Sequence, residues 1–227
     1  DFFDPLCVVP LPVEVRKRIE HVGFLARTVP TTTYSGARNL PSEFVLITAG
    51  GGGDAAELMG QVLAAKEHDK SSRLPFVMTL GPYMSLREKS EIRHRARRLK
   101  DVHVLDFDNR LEDLMHRATA VVAMGGYNTF CELMSFDKRA LIVPRIVPRR
   151  EQLIRAQRAA EFNLVTMLDP HEASDPWRMA AAINALPAQP KPMSVAYKID
   201  LKGLERIGRV IEVIKQRAGV RSIESVG

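Results

Sequence analysis

The sequence has few cysteines and no long apolar run. Cys7 and Cys131 are its two cysteines, and they show neither the density of a disulfide scaffold nor the spacing of a metal site. No apolar run approaches the roughly 20 residues of a membrane-spanning helix, and no signal-peptide pattern opens the sequence. These absences exclude disulfide-rich and helical membrane proteins, and a reducing, cytoplasmic setting is expected.

Motifs for metal binding and for nucleophilic hydrolysis are also missing. The six histidines are scattered, and none stands in an H-x-x-x-H or H-E-x-x-H pattern. No G-x-S-x-G elbow is present either. We therefore expect no metal and no cofactor.

The net charge of +6 comes largely from two arginine-rich segments, residues 87–100 and 145–158. Such segments can be solvated helix faces, or they can attract nucleic acid, anionic lipid or phosphorylated substrates. Because the arginines are not interleaved with aromatic residues, a nucleic-acid partner is not expected.

The first 42 residues do not have the pattern of a domain. They carry prolines at 5, 10, 12 and 30 and a threonine run at 31–33, which is typical of a linker. We predict that residues 1–42 are a linker from an upstream domain and that residues 43–227 form one domain.

From residue 43, short apolar runs alternate with helical patterns. The predicted strands are residues 44–48, 76–80, 102–106, 119–124, 140–143 and 164–168, and a final helix covers 201–217. This order predicts an α/β fold, a Rossmann-like doubly wound parallel sheet of about six strands. Ligands of such sheets bind beyond the carboxyl ends of the strands, where the strand order switches.

A run of glycines follows the first predicted strand: Gly50, Gly51, Gly52 and Gly53. Glycines allow close backbone approach, and free N–H groups at a helix start attract phosphate, so this loop is a candidate diphosphate site. The run matches neither a P-loop nor a clean G-x-G-x-x-G motif. A tight turn without a ligand is the alternative.

A second glycine loop follows the fourth predicted strand. Gly125 and Gly126 precede Tyr127, and Asn128 or Thr129 is the expected helix cap. Glu132 has two interpretations. It can form a capping pair with Thr129, or it can accept hydrogen bonds from the vicinal hydroxyls of a ribose.

The segment 125–129 together with Glu132, residues 138–145, Glu151-Gln152 and Ala156 resembles the C-terminal domain of glycosyltransferase family 28. The resemblance covers residues 43–186 and is nearest to a bacterial branch of predicted glycosyltransferases. It implies the C-terminal half of a GT-B fold. It further implies transfer of a hexosyl group from an NDP-sugar, expected to be UDP-linked, with no metal or other cofactor.

The resemblance assigns roles to individual residues. Gly50–Gly53 and the segment from Gly125 to Thr129, which includes Gly126, Tyr127 and Asn128, would bind the donor diphosphate. Phe107 and Asp108 would hold the uracil, and Glu132 would bind the ribose. Glu151 and Gln152 would read the sugar hydroxyls.

One departure concerns charge beside the second loop. Many family members carry an arginine or another polar residue where this chain has Met124. Backbone N–H groups, or Arg145, Arg149 or Arg150 as a phosphate clamp, would replace it. The alternative is that these arginines are solvated charges flanking a helix.

The same resemblance places the acceptor site and the general base in an N-terminal domain, so no catalytic residue is predicted. We expect this chain alone to bind donor without turnover. The acceptor is expected to be lipid-linked and the protein to lie in the cytoplasm at the inner membrane face, both by analogy. The alternatives are an NDP-sugar epimerase of the same fold, a non-catalytic donor-binding subunit, and a nucleic-acid-binding domain.

Overall fold

The computed structural model describes residues 2, 4, 6, 9–29, 40–49, 55–69, 74–106, 111–148 and 150–217. Contacts between Cα atoms divide the chain into two compact units. The first unit comprises residues 1–3 and 27–198, and the second comprises residues 4–26 and 199–227.

The first unit is built on a six-stranded sheet in which every pair of neighbouring strands is parallel. Its strands are β1 (Val45–Thr48), β2 (Phe76–Thr79), β3 (Val102–Leu105), β4 (Ala120–Ala123), β5 (Arg139–Ile142) and β6 (Thr166–Met167). The order is β3-β2-β1-β4-β5-β6, so the direction of winding switches between β1 and β4. The predicted doubly wound α/β fold is confirmed.

The helices are α1 (Val13–Arg16), α2 (Ala55–His68), α3 (Leu86–Ala96), α4 (Leu111–Arg117), α5 (Tyr127–Ser135), α6 (Glu151–Glu161), α7 (Pro170–Ala173), α8 (Pro176–Ala185) and α9 (Gly203–Arg217). Helices α1 and α9 belong to the second unit and the others to the first. Within the described ranges, no helix has the length and apolar composition needed to cross a bilayer.

The central strands carry the core of the first unit. Every residue of β1, β2 and β4 is buried, as expected for parallel strands that are covered on both faces. Helix α2 packs against the sheet through a buried stripe at helical spacing, made by Leu58, Met59, Val62 and Leu63.

Local capping signals set several helix starts. Ser85 and Glu88 form a capping box at α3, and Asp169 and Glu172 form another at α7. At α8, Asp175 is the N-cap residue and accepts a hydrogen bond from the backbone N–H of Trp177.

In the second unit, the segment before residue 27 contacts the C-terminal segment. Leu25 and Lys202 form an antiparallel bridge, and the N–H of Gly203 donates to the carbonyl of Phe24 at 3.0 Å. A Cβ atom on Gly203 would lie 2.7 Å from that carbonyl oxygen, so the approach requires glycine. Pairing between segments so far apart leaves no local sequence signal, and the linker predicted at residues 1–42 stays a prediction.

A matched pair of leucines tests the position of the core. Leu46 in β1 is 0% exposed, whereas Leu86 at the start of α3 is 86% exposed. We expect Leu46→Ala to lower the free energy of unfolding by about 2–5 kcal/mol, because it leaves a cavity in the core. Leu86→Ala should change it by less than about 0.5 kcal/mol. Urea unfolding of both variants measures the difference, and equal losses would contradict this account of the core.

Candidate functional site

The candidate site lies at the carboxyl ends of the strands, on the side where β4 leads into α5. The chain leaves β4 at Met124, turns through Gly125 and Gly126, and enters α5 at Tyr127. Several predicted site residues fall outside the described part of the chain, and for these the predictions stand untested: Gly50, Gly51, Gly52, Gly53, Phe107, Asp108 and Arg149.

Gly125 is required by two features of its surroundings. Its φ is +72°, which is in the left-handed region that favours glycine. A Cβ atom at this position would lie 2.8 Å from Cγ2 of Ile142, at the end of the neighbouring strand β5. The backbone turn after β4 is therefore packed directly against β5.

The start of α5 has no side-chain cap. Gly126 is the N-cap residue, and as a glycine it has no side chain that could accept a hydrogen bond from the first turn. The prediction that Asn128 or Thr129 caps this helix is wrong, because the helix already begins at Tyr127. A helix start whose N-cap residue has no side chain is a position at which backbone N–H groups can receive an anion.

Asn128 has a different partner. Its Oδ1 accepts a hydrogen bond from Nη2 of Arg27 at 2.6 Å, and the backbone N–H of Arg27 donates to Oγ of Ser135 at 2.9 Å. Arg27 thus spans α5 along one face. Sequence reasoning missed it because it lies about a hundred positions away, in a segment that we predicted to be a linker.

Glu132 lies in the second turn of α5 and is 8% exposed. Burial raises the pKa of its carboxyl to about 7; the neighbouring Glu112 adds to the rise, and Arg27 opposes it. The capping pair with Thr129 is wrong, since Glu132 lies beyond the first turn and the N-cap is Gly126. The alternative interpretation, in which Glu132 accepts hydrogen bonds from the vicinal hydroxyls of a ribose, stays a prediction.

The start of α6 meets the start of α5. Helix α6 begins at Glu151, and Oε1 of Gln152 accepts a hydrogen bond from the backbone N–H of Arg145 at 3.2 Å. A Cβ atom on Gly126 would lie 4.0 Å from Nε2 of Gln152. The structure therefore brings Gln152, predicted as a sugar-binding residue, to the second glycine loop.

A cleft of about 490 Å³ opens beside this junction. Its lining is mostly apolar and comes from α2, from the segments after β4 and β5, and from the start of α7: Glu57, Leu58, Gln61, Met124, residues 143–148 and Pro170. Arg145, a predicted phosphate clamp, lines it, as does Met124. The volume falls within the range of small-molecule pockets.

Arg155 is a member of the site that sequence reasoning missed. It lies on α6, is 3% exposed, and donates from Nη1 to the carbonyl oxygen of Gly125 at 2.9 Å. Burial lowers the pKa of its guanidinium, and Glu151 opposes this change. A signal was available, because Arg155 shares the helical spacing of the buried residues Ala156 and Ala159.

The sequence profile of the glycosyltransferase family 28 C-terminal domain matches residues 44–201. The chain therefore belongs to this family and carries a glycosyltransferase domain. No curated protein matches the chain.

Solved structures share the fold. The glycosyltransferase VinC, in complex with dTDP, is 22% identical with a TM-score of 0.59, over 82% of this chain and 45% of its own. MurG of Acinetobacter baumannii is 11% identical with a TM-score of 0.51, over 77% and 50%. The UDP-GlcNAc 2-epimerase of Methanocaldococcus jannaschii is 10% identical with a TM-score of 0.55, over 88% and 51%. The chain thus spans about half the length of these proteins and has the fold of GT-B C-terminal domains.

The raised pKa of Glu132 predicts a pH-dependent stability. Its carboxyl binds a proton more tightly in the folded chain than in the unfolded one, so folding stability falls as pH rises from about 4.5 to about 7. Glu132→Gln lacks this group. As the pH rises from 5 to 8, the free energy of unfolding of the variant should increase by about 1–3 kcal/mol relative to that of the wild type.

Urea unfolding at several pH values measures this difference. Glu91→Gln, which removes an exposed carboxylate from α3, is the control and should keep the pH dependence of the wild type. A difference between Glu132→Gln and the wild type that does not vary with pH would show that Glu132 does not titrate in this range.

Proposed function

We propose that this domain binds a nucleotide-sugar donor, a UDP-sugar, and presents its hexosyl group for transfer. The observation that carries the proposal is the buried carboxylate of Glu132 in the second turn of α5. A buried carboxylate needs hydrogen-bond donors, and the vicinal hydroxyls of a ribose supply two.

The diphosphate would lie at the start of α5. The N–H groups at a helix start without a capping side chain, together with the positive end of the helix dipole, attract an anion. Asn128 and Glu132 are separated by about 6 Å along the helix axis at 1.5 Å per residue. This spacing is suited to a ribose and the diphosphate attached to it. The predicted contacts of the diphosphate also include Gly50–Gly53, and those of the uracil are Phe107 and Asp108.

The sugar would then lie near the start of α6. Gln152 is close to Gly126, and Glu151 opens the helix beside it, so both can meet sugar hydroxyls. Arg145 lines the adjacent cleft and is our candidate for a clamp on the diphosphate, with Arg149 as the second candidate.

The chemistry follows from this placement. When the bond between the anomeric carbon and the diphosphate breaks, negative charge grows on the leaving diphosphate. Backbone dipoles fixed at the start of α5 stabilise that charge without rearranging, and this lowers the barrier. We propose no metal in this role, because backbone N–H groups and arginines carry the compensation.

The acceptor and the general base are assigned to a second domain. The proteins that share this fold are about twice as long as the matched region, and VinC and the epimerase were solved with nucleotides bound. We propose that an N-terminal domain binds the acceptor. The family profile favours sugar transfer over epimerisation.

Binding of UDP and its dideoxy analogue tests the role of Glu132. At pH 8, where the carboxylate is ionised, the wild type should bind UDP about 10–100-fold more tightly than 2′,3′-dideoxy-UDP, since hydrogen bonds to a charged group are lost in the analogue. Glu132→Gln should weaken the binding of UDP by a similar factor and leave the affinity for the analogue almost unchanged. Isothermal titration calorimetry measures the four dissociation constants.

The exposed substitution Glu91→Gln is again the control and should keep the preference for UDP. If Glu132→Gln weakens the binding of both ligands equally, the carboxylate does not bind the ribose. If the wild type binds neither ligand, the UDP-donor proposal is wrong.

The assignment of catalysis to a second domain is tested by turnover. The 227-residue protein should bind UDP-sugars without transferring the sugar, because the acceptor site and the base are assigned elsewhere. Product analysis by NMR after incubation with UDP-sugars and a panel of sugar and lipid-linked acceptors measures this. Sugar transfer by this chain alone would refute the assignment, and a change of configuration at C2 would favour the epimerase alternative.

A further inference from the structure

We propose that Arg155 is a positioning residue that turns the peptide between Gly125 and Gly126 so that the N–H of Gly126 faces the donor diphosphate. This inference rests on the proposed binding of a nucleotide sugar. It adds a residue to the site and a reason for its burial.

The guanidinium of Arg155 contacts the second glycine loop. Its Nη1 donates to the Gly125 carbonyl at 2.9 Å, and its central carbon is 5.7 Å from the centre of the Tyr127 ring. Because Arg155 lies in the second turn of α6 and α5 begins at Tyr127, the side chain connects α6 to the start of α5.

The geometry of the peptide bond means that this hydrogen bond also sets the direction of the neighbouring N–H group. A trans peptide is planar, and its C=O and N–H point in opposite directions. The Gly125 carbonyl and the Gly126 N–H belong to the same peptide. While Arg155 holds the carbonyl, the N–H points away from Arg155, and this is the side on which we place the diphosphate.

The opposite orientation of this peptide would harm anion binding. A flipped peptide would present the Gly125 carbonyl oxygen to the diphosphate, and an attractive dipole would become a repulsive one. Glycines at 125 and 126 make such a flip sterically easier than other residues would. A charge-assisted hydrogen bond from a buried arginine opposes the flip.

The charge of Arg155 also contributes to the site. Arginine keeps its proton in proteins, so a positive charge lies buried next to the start of α5. Burying a charge costs free energy unless an opposite charge compensates it. Glu151 supplies part of that compensation, and a bound diphosphate would supply more.

A purely structural role for Arg155 makes a different prediction, and a ligand series separates the two. Uridine, UMP and UDP share the nucleoside and differ in phosphate. In Arg155→Met, the affinity for uridine should change by less than about twofold, whereas that for UDP should fall at least about tenfold, because only phosphate meets the oriented peptide. Arg155→Lys keeps the charge and should recover part of the UDP affinity.

Arg158→Met is the matched control. It lies one turn along α6, where its side chain pairs with Glu161, and it should leave the ratio of UDP to uridine affinity unchanged. If Arg155→Met keeps the wild-type ratio, the positioning role is overturned while donor binding stands. If the wild type binds no uridine nucleotide, the proposed function fails and this inference falls with it.

A second measurement does not depend on the folding of a variant. In the wild-type protein, the backbone amide resonance of Gly126 should shift in NMR titrations with UDP and stay in place with uridine. A Gly126 amide that does not respond to UDP, under conditions where UDP binds, would overturn the proposal.

Discussion

The close contact between Gly125 and Ile142 determines the geometry of the whole site. Strands β4 and β5 are parallel and paired as far as Ala123 and Ile142, and the chain must turn directly above that pair. Glycine fits there because a Cβ atom at position 125 would lie 2.8 Å from the Cγ2 methyl group of Ile142. The turn fixes where α5 begins, and so where Asn128 and Glu132 lie along its length. A larger residue at 125 would displace all of them together.

Two ionisable side chains are buried close to this turn. Glu132 and Arg155 are both nearly inaccessible, one in α5 and one beneath its start. Burial disfavours the charged form of each group and moves their pKa values in opposite directions, upward for Glu132 and downward for Arg155. A core that only needed to be stable would place apolar side chains at these positions. Their presence is consistent with a nucleoside diphosphate, which offers hydroxyls to the carboxylate and negative charge to the guanidinium.

Local sequence patterns predicted much of this structure, whereas the features that they did not predict are mostly long-range contacts. Alternating apolar runs and glycine turns predicted all six strands, and the glycines after the fourth strand correctly marked the start of α5. The supposed caps Asn128 and Thr129 failed because Gly126 ends the turn first, and composition alone cannot place that boundary within a residue or two. Arg27 and the pairing of residues 4–26 with the C-terminal segment depend on tertiary contacts, which leave no periodicity in the sequence.

The most direct test of the central claim is a crystal structure of this protein with UDP bound. The account predicts diphosphate oxygens within about 3.2 Å of the N–H groups of Gly126 and Tyr127, and ribose hydroxyls at the same range from the Glu132 carboxylate. UDP bound elsewhere, for example wholly within the apolar cleft lined by Val147 and Pro148, with Glu132 untouched, would contradict it.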